Sequence, residues 1–256
     1  MQDRRTAVVT GASAGIGAAT ASLLAKHGFR VILGARRTDR VEQVAKQAGG
    51  APLAVAHELD VMEPASIRRF VDAVEKEAGR VDVLVNNAGL ALGLTSVADT
   101  PDHYWTQMWE VNVLGLLRVT KAFLPLIRKA PHGHIVNMGS IASFENYKGG
   151  AGYTATKHAV RAITRTLRLE LNGEPIRITE ISPGLVETEF SLVRFEGDRE
   201  AASAPYRGLQ PLTAEDVAEC IVFAVTRPPH VDIDEMVIRP VAQAATFQVA
   251  RQADQT

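Results

Sequence analysis

Two patterns of apolar and polar residues alternate along this chain. Short runs rich in β-branched residues give way to longer runs with an apolar residue every three or four positions. Thr6 to Thr10 (TAVVT) predicts a first strand. Gly15 to His27 predicts a helix that stops at Gly28, where a C-terminal glycine is favoured. Arg30 to Leu33 predicts a second strand, Thr38 to Ala48 a helix ended by Gly49-Gly50, and Leu53 to Ala56 a third strand. Pro64 opens a helix to Ala78 with Ile67, Phe70, Val71 and Val74 on one face. Val81 to Val85 predicts a fourth strand, and Thr100 to Lys129 one long helix bent near Pro125. His134 to Met138 reads as a fifth strand, Gly152 to Leu171 as a helix and Arg177 to Ile181 as a sixth strand. Residues 188 to 210 read as irregular or weakly helical. Thr213 caps a helix to Thr226, with Glu215 and Asp216 in the first turn, where the helix dipole favours negative charge. Met236 to Ile238 is a last strand, and Gln243 to Thr256 reads as a loose tail or an oligomer contact.

Regular alternation of strand and helix implies an α/β fold with a parallel central sheet flanked by helices on both faces. Right-handed crossovers make that sheet doubly wound, with its ligand crevice at the carboxyl ends of the strands. No linker, repeat or low-complexity break divides the chain, so one domain over residues 1–256 is expected.

Composition narrows the function classes. The formal net charge of −1 argues against a nucleic acid or a membrane surface as the main partner. One cysteine, Cys220, excludes an intrachain disulfide and fits a reducing cytoplasm. The apolar run after Arg5 is too short for a signal-peptide core, and no stretch approaches the ~20 apolar residues that span a bilayer. A cytoplasmic protein is therefore expected. His132 and His134 have no acidic or cysteine partners at ligand spacing, so no metal site is expected.

The chemistry-bearing residues cluster at strand ends. Strand one runs into Thr10-Gly11-Ala12-Ser13-Ala14-Gly15-Ile16-Gly17. Glycines there allow a tight turn and a close approach to phosphate, and the helix behind offers free N–H groups. Asp60-Val61 follows strand three, Asn86-Asn87-Ala88-Gly89 follows strand four, and Asn112 lies in the long helix. Ser140 follows strand five, Tyr153 and Lys157 open the next helix, and Pro183-Gly184 follows strand six.

This ordered set over residues 10 to 188 resembles the short-chain dehydrogenase/reductase family. The resemblance implies a single Rossmann-type domain, a nicotinamide dinucleotide cofactor and oxidation or reduction at an alcohol or carbonyl carbon. It implies that Ser13 supports a 2′-phosphate, that Asp60 receives the adenine amine, and that Asn87-Ala88-Gly89 line the adenine ribose side. Gly11, Gly15, Ile16, Gly17, Val61, Pro183, Gly184, Val186 and Thr188 complete the implied cofactor contacts. Asn112 is implied to kink its helix and hold a water that relays protons from Lys157, and hydride transfer from the B face of the nicotinamide is implied. A homo-tetramer or homo-dimer is also implied. The apolar faces of the helices at 100–129 and 152–171 could pair between subunits or pack on the sheet.

The residue closing strand two decides which dinucleotide is used. An acidic residue there accepts from the 2′-hydroxyl of NAD, while an arginine accommodates a 2′-phosphate. Here Ala35 takes that place and Arg36 and Arg37 follow, which favours NADP(H) unless both arginines are merely solvated. Tyr153 and Lys157 are four apart, so they share a helix face. An ammonium nearby favours the phenolate and lowers the tyrosine pKa, so Tyr153 can exchange a proton with substrate. Ser140 supplies a hydroxyl to orient the substrate oxygen, and Lys157 also grips the nicotinamide ribose.

Three further segments, Asn86 to Gly93, Pro183 to Asp198 and His230 to Pro240, resemble a narrower group. These are the NADP-dependent 3-hydroxy acid dehydrogenases that act on serine and allo-threonine. Some of them carry one more residue between Val186 and Thr188, where this chain has only Glu187. Arg194 is the candidate carboxylate anchor, unless it is a surface arginine paired with Glu196 or Asp198. Tyr147 and Phe144 would equally suit an apolar pocket for a larger ketone or aldehyde. A nicotinamide-sensing protein without chemistry would have lost the tyrosine, lysine or serine, and all three are present.

Overall fold

The computed structural model describes residues 4–252. Seven parallel strands form one sheet: β1 (Thr6–Thr10), β2 (Arg30–Ala35), β3 (Ala54–Glu58), β4 (Val83–Asn86), β5 (Gly133–Met138), β6 (Ile176–Pro183) and β7 (Glu235–Ile238). Their order is β3-β2-β1-β4-β5-β6-β7. The winding direction reverses between β1 and β4, and a doubly wound sheet opens its crevice at such a point.

Side chains alternate across the strands and bury both faces. Ala7, Val9, Val31 and Leu33 point to the side covered by α1 (Gly15–Lys26), α2 (Thr38–Gln47) and α9 (Ala214–Val225), where Leu24, Val41 and Ile221 meet them. Val8, Ile32, Leu84 and Ile135 point to the side covered by α3 (Pro64–Ala78) and α5 (Leu116–Arg128), where Ile67, Phe70, Phe123 and Ile127 meet them. The apolar face of α5 is thus used within the chain.

Strands β2 and β6 run further toward their carboxyl ends than the β-branched runs predict. Gly34 and Ala35 pair with His57 and Glu58, and Ser182 and Pro183 with Val237 and Ile238. Strand β4 starts at Val83 instead of Val81, because Asp82 turns its carboxylate to the Thr6 N–H at 2.7 Å.

The region predicted as one helix bent at Pro125 is built differently. Helix α4 (Asp102–Trp109) passes into a π-helical turn, Glu110–Gly115, and then into α5. Pro125 sits inside α5, which continues to Arg128. The irregularity falls at Asn112, whose side-chain amide bonds to the Leu90 backbone and to Thr156. π-turns are typically found where a helix serves a site.

The weakly helical reading of 188–210 holds, and the loose-tail reading needs correction. Residues 188–210 hold two short helices, α7 (Glu189–Arg194) and α8 (Arg199–Ser203), capped by the side chains of Thr188 and Asp198. Helix α6 (Ala151–Glu170) stands at the head of the crevice. The tail is tied down through residue 252. The Gln243 side chain accepts from Leu185 N–H at 2.8 Å, Thr246 N–H donates to Glu145 at 2.7 Å, and Gln252 N–H donates to the Gly208 carbonyl at 2.8 Å. The remainder of that predicted tail, 253–256, lies outside the described residues. No helix among the described residues is long and apolar enough to cross a membrane.

The packing yields a stability test. Phe123 is fully buried, with its ring 5.6 Å from Phe70 in an edge-on arrangement. Phe123→Ala should cost about 3–5 kcal/mol in urea unfolding. Because the crevice lies elsewhere, the surviving folded fraction should keep its cofactor affinity.

Candidate active site

Strand β1 ends in a turn locked onto the end of β4. Thr10 Oγ1 accepts the N–H groups of Asn87 and Ala88, each at 3.0 Å. The Asn87 amide donates to the carbonyls of Thr10 and Gly11 at 2.9 and 3.1 Å. This close packing explains the glycine spacing. Gly11 has a φ of +65°, and a Cβ there would lie 2.8 Å from Ala88 Cα. A Cβ on Gly17 would lie 2.5 Å from Asn87 Nδ2 and 2.6 Å from the Gly11 carbonyl oxygen.

Ser13 carries an arginine. Arg37 donates to its hydroxyl through Nε at 3.2 Å and Nη2 at 3.0 Å. The Arg37 Nη1 bonds Glu189 of α7 at 2.8 Å, and Arg40 bonds the same carboxylate at 2.8 Å. Their hydrogen bonds hold the Glu189 carboxyl below its ordinary range. All three side chains are nearly half exposed, so each contact is worth only about 0–1 kcal/mol. Neither Arg40 nor Glu189 is marked by the motif spacing. Arg36 is exposed and lies outside the cavity wall, whereas Arg37 forms part of it.

A cavity of about 570 Å³ opens at the carboxyl ends of the strands. Gly11, Gly15, Ile16, Asn87, Gly89, Pro183, Gly184, Val186 and Thr188 line it, together with Ser140, Tyr147, Tyr153, Lys157 and Arg194. Ser13, Gly17, Asp60, Val61, Ala88 and Asn112 do not line it. The Asp60 carboxylate accepts from Met62 N–H at 2.9 Å, and Val61 is buried against Gly115.

Three chemistry-bearing side chains converge. Lys157 is buried, and its Nζ donates to the Met138 carbonyl at 2.7 Å, 5.7 Å from the Tyr153 ring centre. Ser140 caps the turn after β5, accepting from Ala142 N–H at 3.1 Å, and hydrogen-bonds the Tyr153 phenol. Asn112 stands behind Gly89, where a Cβ would lie 3.2 Å from the Asn112 amide oxygen and 3.9 Å from Lys157 Nζ.

The electrostatics differ from those the tyrosine–lysine spacing predicts. Burial pushes the Tyr153 phenol above its ordinary value, with Tyr147 adding to the rise. The Ser140 hydrogen bond and the Arg194 charge oppose it. Lys157 is lowered to about 8 by burial, with Glu180 opposing. In this state Tyr153 therefore holds its proton, and Lys157 is the first of the two to lose one as pH rises.

Arg194 enters from the end of α7. Its Nε donates to the Gly93 carbonyl at 2.9 Å, and Gly93 N–H returns a bond to the Arg194 carbonyl at 2.9 Å. The guanidinium carbon is 5.4 Å from the Tyr147 ring centre and 5.9 Å from that of Tyr153. Nη2 is buried without a hydrogen-bond partner among the described residues. Glu196 and Asp198 are engaged elsewhere, with Tyr104 and with the start of α8. Phe144 does not line the cavity; its ring lies 4.9 Å from the Arg161 guanidinium. Phe190, unmarked by any motif, packs edge-on against Tyr153 at 5.6 Å. No metal-binding group of three or more histidine, cysteine or carboxylate side chains occurs among the described residues.

The chain is similar to known proteins in sequence and fold. The short chain dehydrogenase family matches residues 5–198. An uncharacterized oxidoreductase of Mycobacterium tuberculosis is 55% identical over 247 residues, covering 96% of this chain and 95% of that one. The NADP-dependent 3-hydroxy acid dehydrogenase of Schizosaccharomyces pombe is 43% identical over 256 residues, 97% of each chain. The closed form of a serine dehydrogenase complexed with NADP+ superposes with a TM-score of 0.90 at 38% identity, covering 96% of this chain and 100% of that one.

The tight turn makes a direct test. In Gly17→Ala the added methyl meets Asn87 and the backbone of Gly11. The rise in melting temperature on adding NADP+ should be lost in this variant and retained in the native protein. An unchanged rise would show that the turn does not hold the dinucleotide.

Proposed function

Because the chain belongs to the short chain dehydrogenase family, we propose that it is an NADP(H)-dependent oxidoreductase acting on a small 3-hydroxy acid. Serine and allo-threonine are the expected kind of substrate, interconverted with the corresponding carbonyl compound. The observation that carries the substrate class is the buried Nη2 of Arg194, which lies beside Tyr153 and has no hydrogen-bond partner among the described residues. A buried guanidinium N–H without an acceptor is costly, and a substrate carboxylate supplies two acceptors in matching geometry.

A phosphorylated dinucleotide suits the residues present. The glycine turn leaves backbone exposed where side chains would clash, and Arg37 and Arg40 gather a half-exposed anion site at Ser13. Gly11, Gly15, Ile16 and Gly17 would hold the pyrophosphate, and Arg37 with Ser13 the 2′-phosphate, in place of Glu189. Asp60 and Val61 would border the adenine, Asn87, Ala88 and Gly89 its ribose, and Pro183, Gly184, Val186 and Thr188 the nicotinamide side. When bound, the dinucleotide supplies or accepts the hydride.

This chain's own residues move the proton. Tyr153 keeps its phenolic proton in the resting site, so it is set to donate to a carbonyl oxygen. Ser140 donates a second hydrogen bond to that oxygen. Lys157, buried beside the phenol, stabilises the phenolate left behind and hands on a proton toward the Asn112 side of the site. In alcohol oxidation the same steps run backward. The presence of all three groups in one cavity weighs against a cofactor-sensing protein without chemistry. A reductase of bulkier apolar ketones is the second reading, favoured by the apolar wall of Leu94, Tyr147, Phe190 and Val193.

Two measurements test these assignments. Arg194→Met should lower kcat/KM for hydroxy acids by roughly tenfold to a hundredfold, the worth of one charged hydrogen bond. Neutral alcohols and ketones should be unaffected. Equal losses on both substrate sets would remove the carboxylate anchor, and turnover confined to bulky apolar ketones would favour the second reading. Tyr153→Phe should lose about 10²- to 10⁴-fold in turnover while still binding NADPH. Near-native turnover would exclude Tyr153 from proton transfer.

A further inference from the structure

Behind the cavity lies a buried carboxylate that the chemistry above does not use. Glu180, on β6, is 2% exposed. It lies beneath the turn that carries Ser140: a Cβ on Gly139 would collide with the Glu180 carboxylate and the Ser182 hydroxyl. Ser182 Oγ donates to Glu180 Oε1 at 2.9 Å, and Ser143 supplies a second hydroxyl. The Ser143 oxygen in turn accepts the Ser140 N–H at 3.2 Å. A hydrogen-bonded path therefore runs from Glu180 through Ser143 to the backbone of Ser140.

The same carboxylate faces the catalytic helix. Tyr153, Lys157 and Arg161 follow one another at four-residue spacing on α6, so they share a face. Lys157 donates to the carbonyl of Met138, the residue before Gly139, so its ammonium and the Glu180 carboxylate flank the same peptide. Arg161 is held by Glu235, the register neighbour of Glu180 on β7. The titratable and charged groups around the pair are Tyr153 and Arg161 on α6, Glu235 on β7, Tyr147 after β5 and Arg194 on α7.

We propose that Glu180 is a positioning residue for proton transfer, its carboxylate keeping Lys157 an ammonium and fixing the Ser140 turn through Ser143. A buried ammonium without a counter-charge sheds its proton, and a neutral lysine no longer stabilises a phenolate. Glu180 opposes that loss, since its charge acts to raise the Lys157 value against burial. Burial raises the Glu180 carboxyl above its ordinary value and the Glu235 charge adds to the rise, while the Ser182 and Ser143 hydroxyls and the Arg161 charge oppose it and favour the ionised form. The inference rests on the assignment of Tyr153 and Lys157 to proton transfer.

Glu180→Gln keeps the shape and removes the charge, and removing a negative charge eases proton loss from Lys157. NADPH-driven reduction should decline in the native protein as pH rises through about 8, where Lys157 loses its proton. In Glu180→Gln that decline should move to lower pH by roughly one unit. Glu180→Asp, which keeps the charge, should restore the native position of the limb. The ultraviolet absorbance of the Tyr153 phenolate, taken as the difference between each background and its Tyr153→Phe counterpart, should move to higher pH in Glu180→Gln, because a neutral Lys157 no longer stabilises it, and this readout requires no turnover. Slower turnover with the limb and the phenolate titration unmoved would make Glu180 purely structural and overturn the proposal. Retained turnover in Tyr153→Phe would instead overturn the underlying proton-transfer assignment, so the two failures are distinct.

Discussion

A lysine ammonium taken out of water is the constraint around which this crevice is built. Lys157 is buried, and a buried ammonium needs acceptors and opposite charge to remain protonated. The Met138 carbonyl gives it one acceptor. The π-turn at Asn112 keeps Gly89 pressed close to it from the other side. Helix α6 must start where it does for Lys157 to reach the end of β5, and that places Tyr153 one turn earlier at the cavity wall. The fold thus spends a π-turn, two strand ends and a helix start on one side chain.

Two arginine sites lie at opposite ends of the same short helix, α7. Glu189, at the start of α7, holds Arg37 and Arg40 near Ser13. Arg194, at its end, reaches back over Tyr147 and Tyr153 and clasps the backbone of Gly93. The first set is half exposed and satisfied by a carboxylate of the protein itself. The second has a buried N–H with no partner among the described residues. An anion arriving at the first site competes with Glu189, and one arriving at the second fills an unmet need.

Much of this architecture was legible in the sequence. Helix α3 runs from Pro64 to Ala78, the very residues its proline start and apolar spacing predict. The Thr213 cap is a full capping box with Asp216. Other features were not legible. The π-turn depends on a contact between Asn112 and Leu90, which lie far apart in the chain, and no local propensity marks it. Glu189 and Arg40 look like ordinary surface charges until α7 folds against α2. The tail looks loose because its anchors, Leu185, Glu145 and Gly208, are supplied by distant loops.

Sequence by itself determined the order of strands and helices, the glycine turn and the candidates for proton transfer. Those follow from local periodicity and from motifs whose spacing is set within one turn or one helix. Tertiary structure decided the protonation of Tyr153, the partners of Arg194 and the place of Glu180. Each of these depends on desolvation and on charges brought together from separate elements, and burial is a property of the packed fold that no residue carries alone.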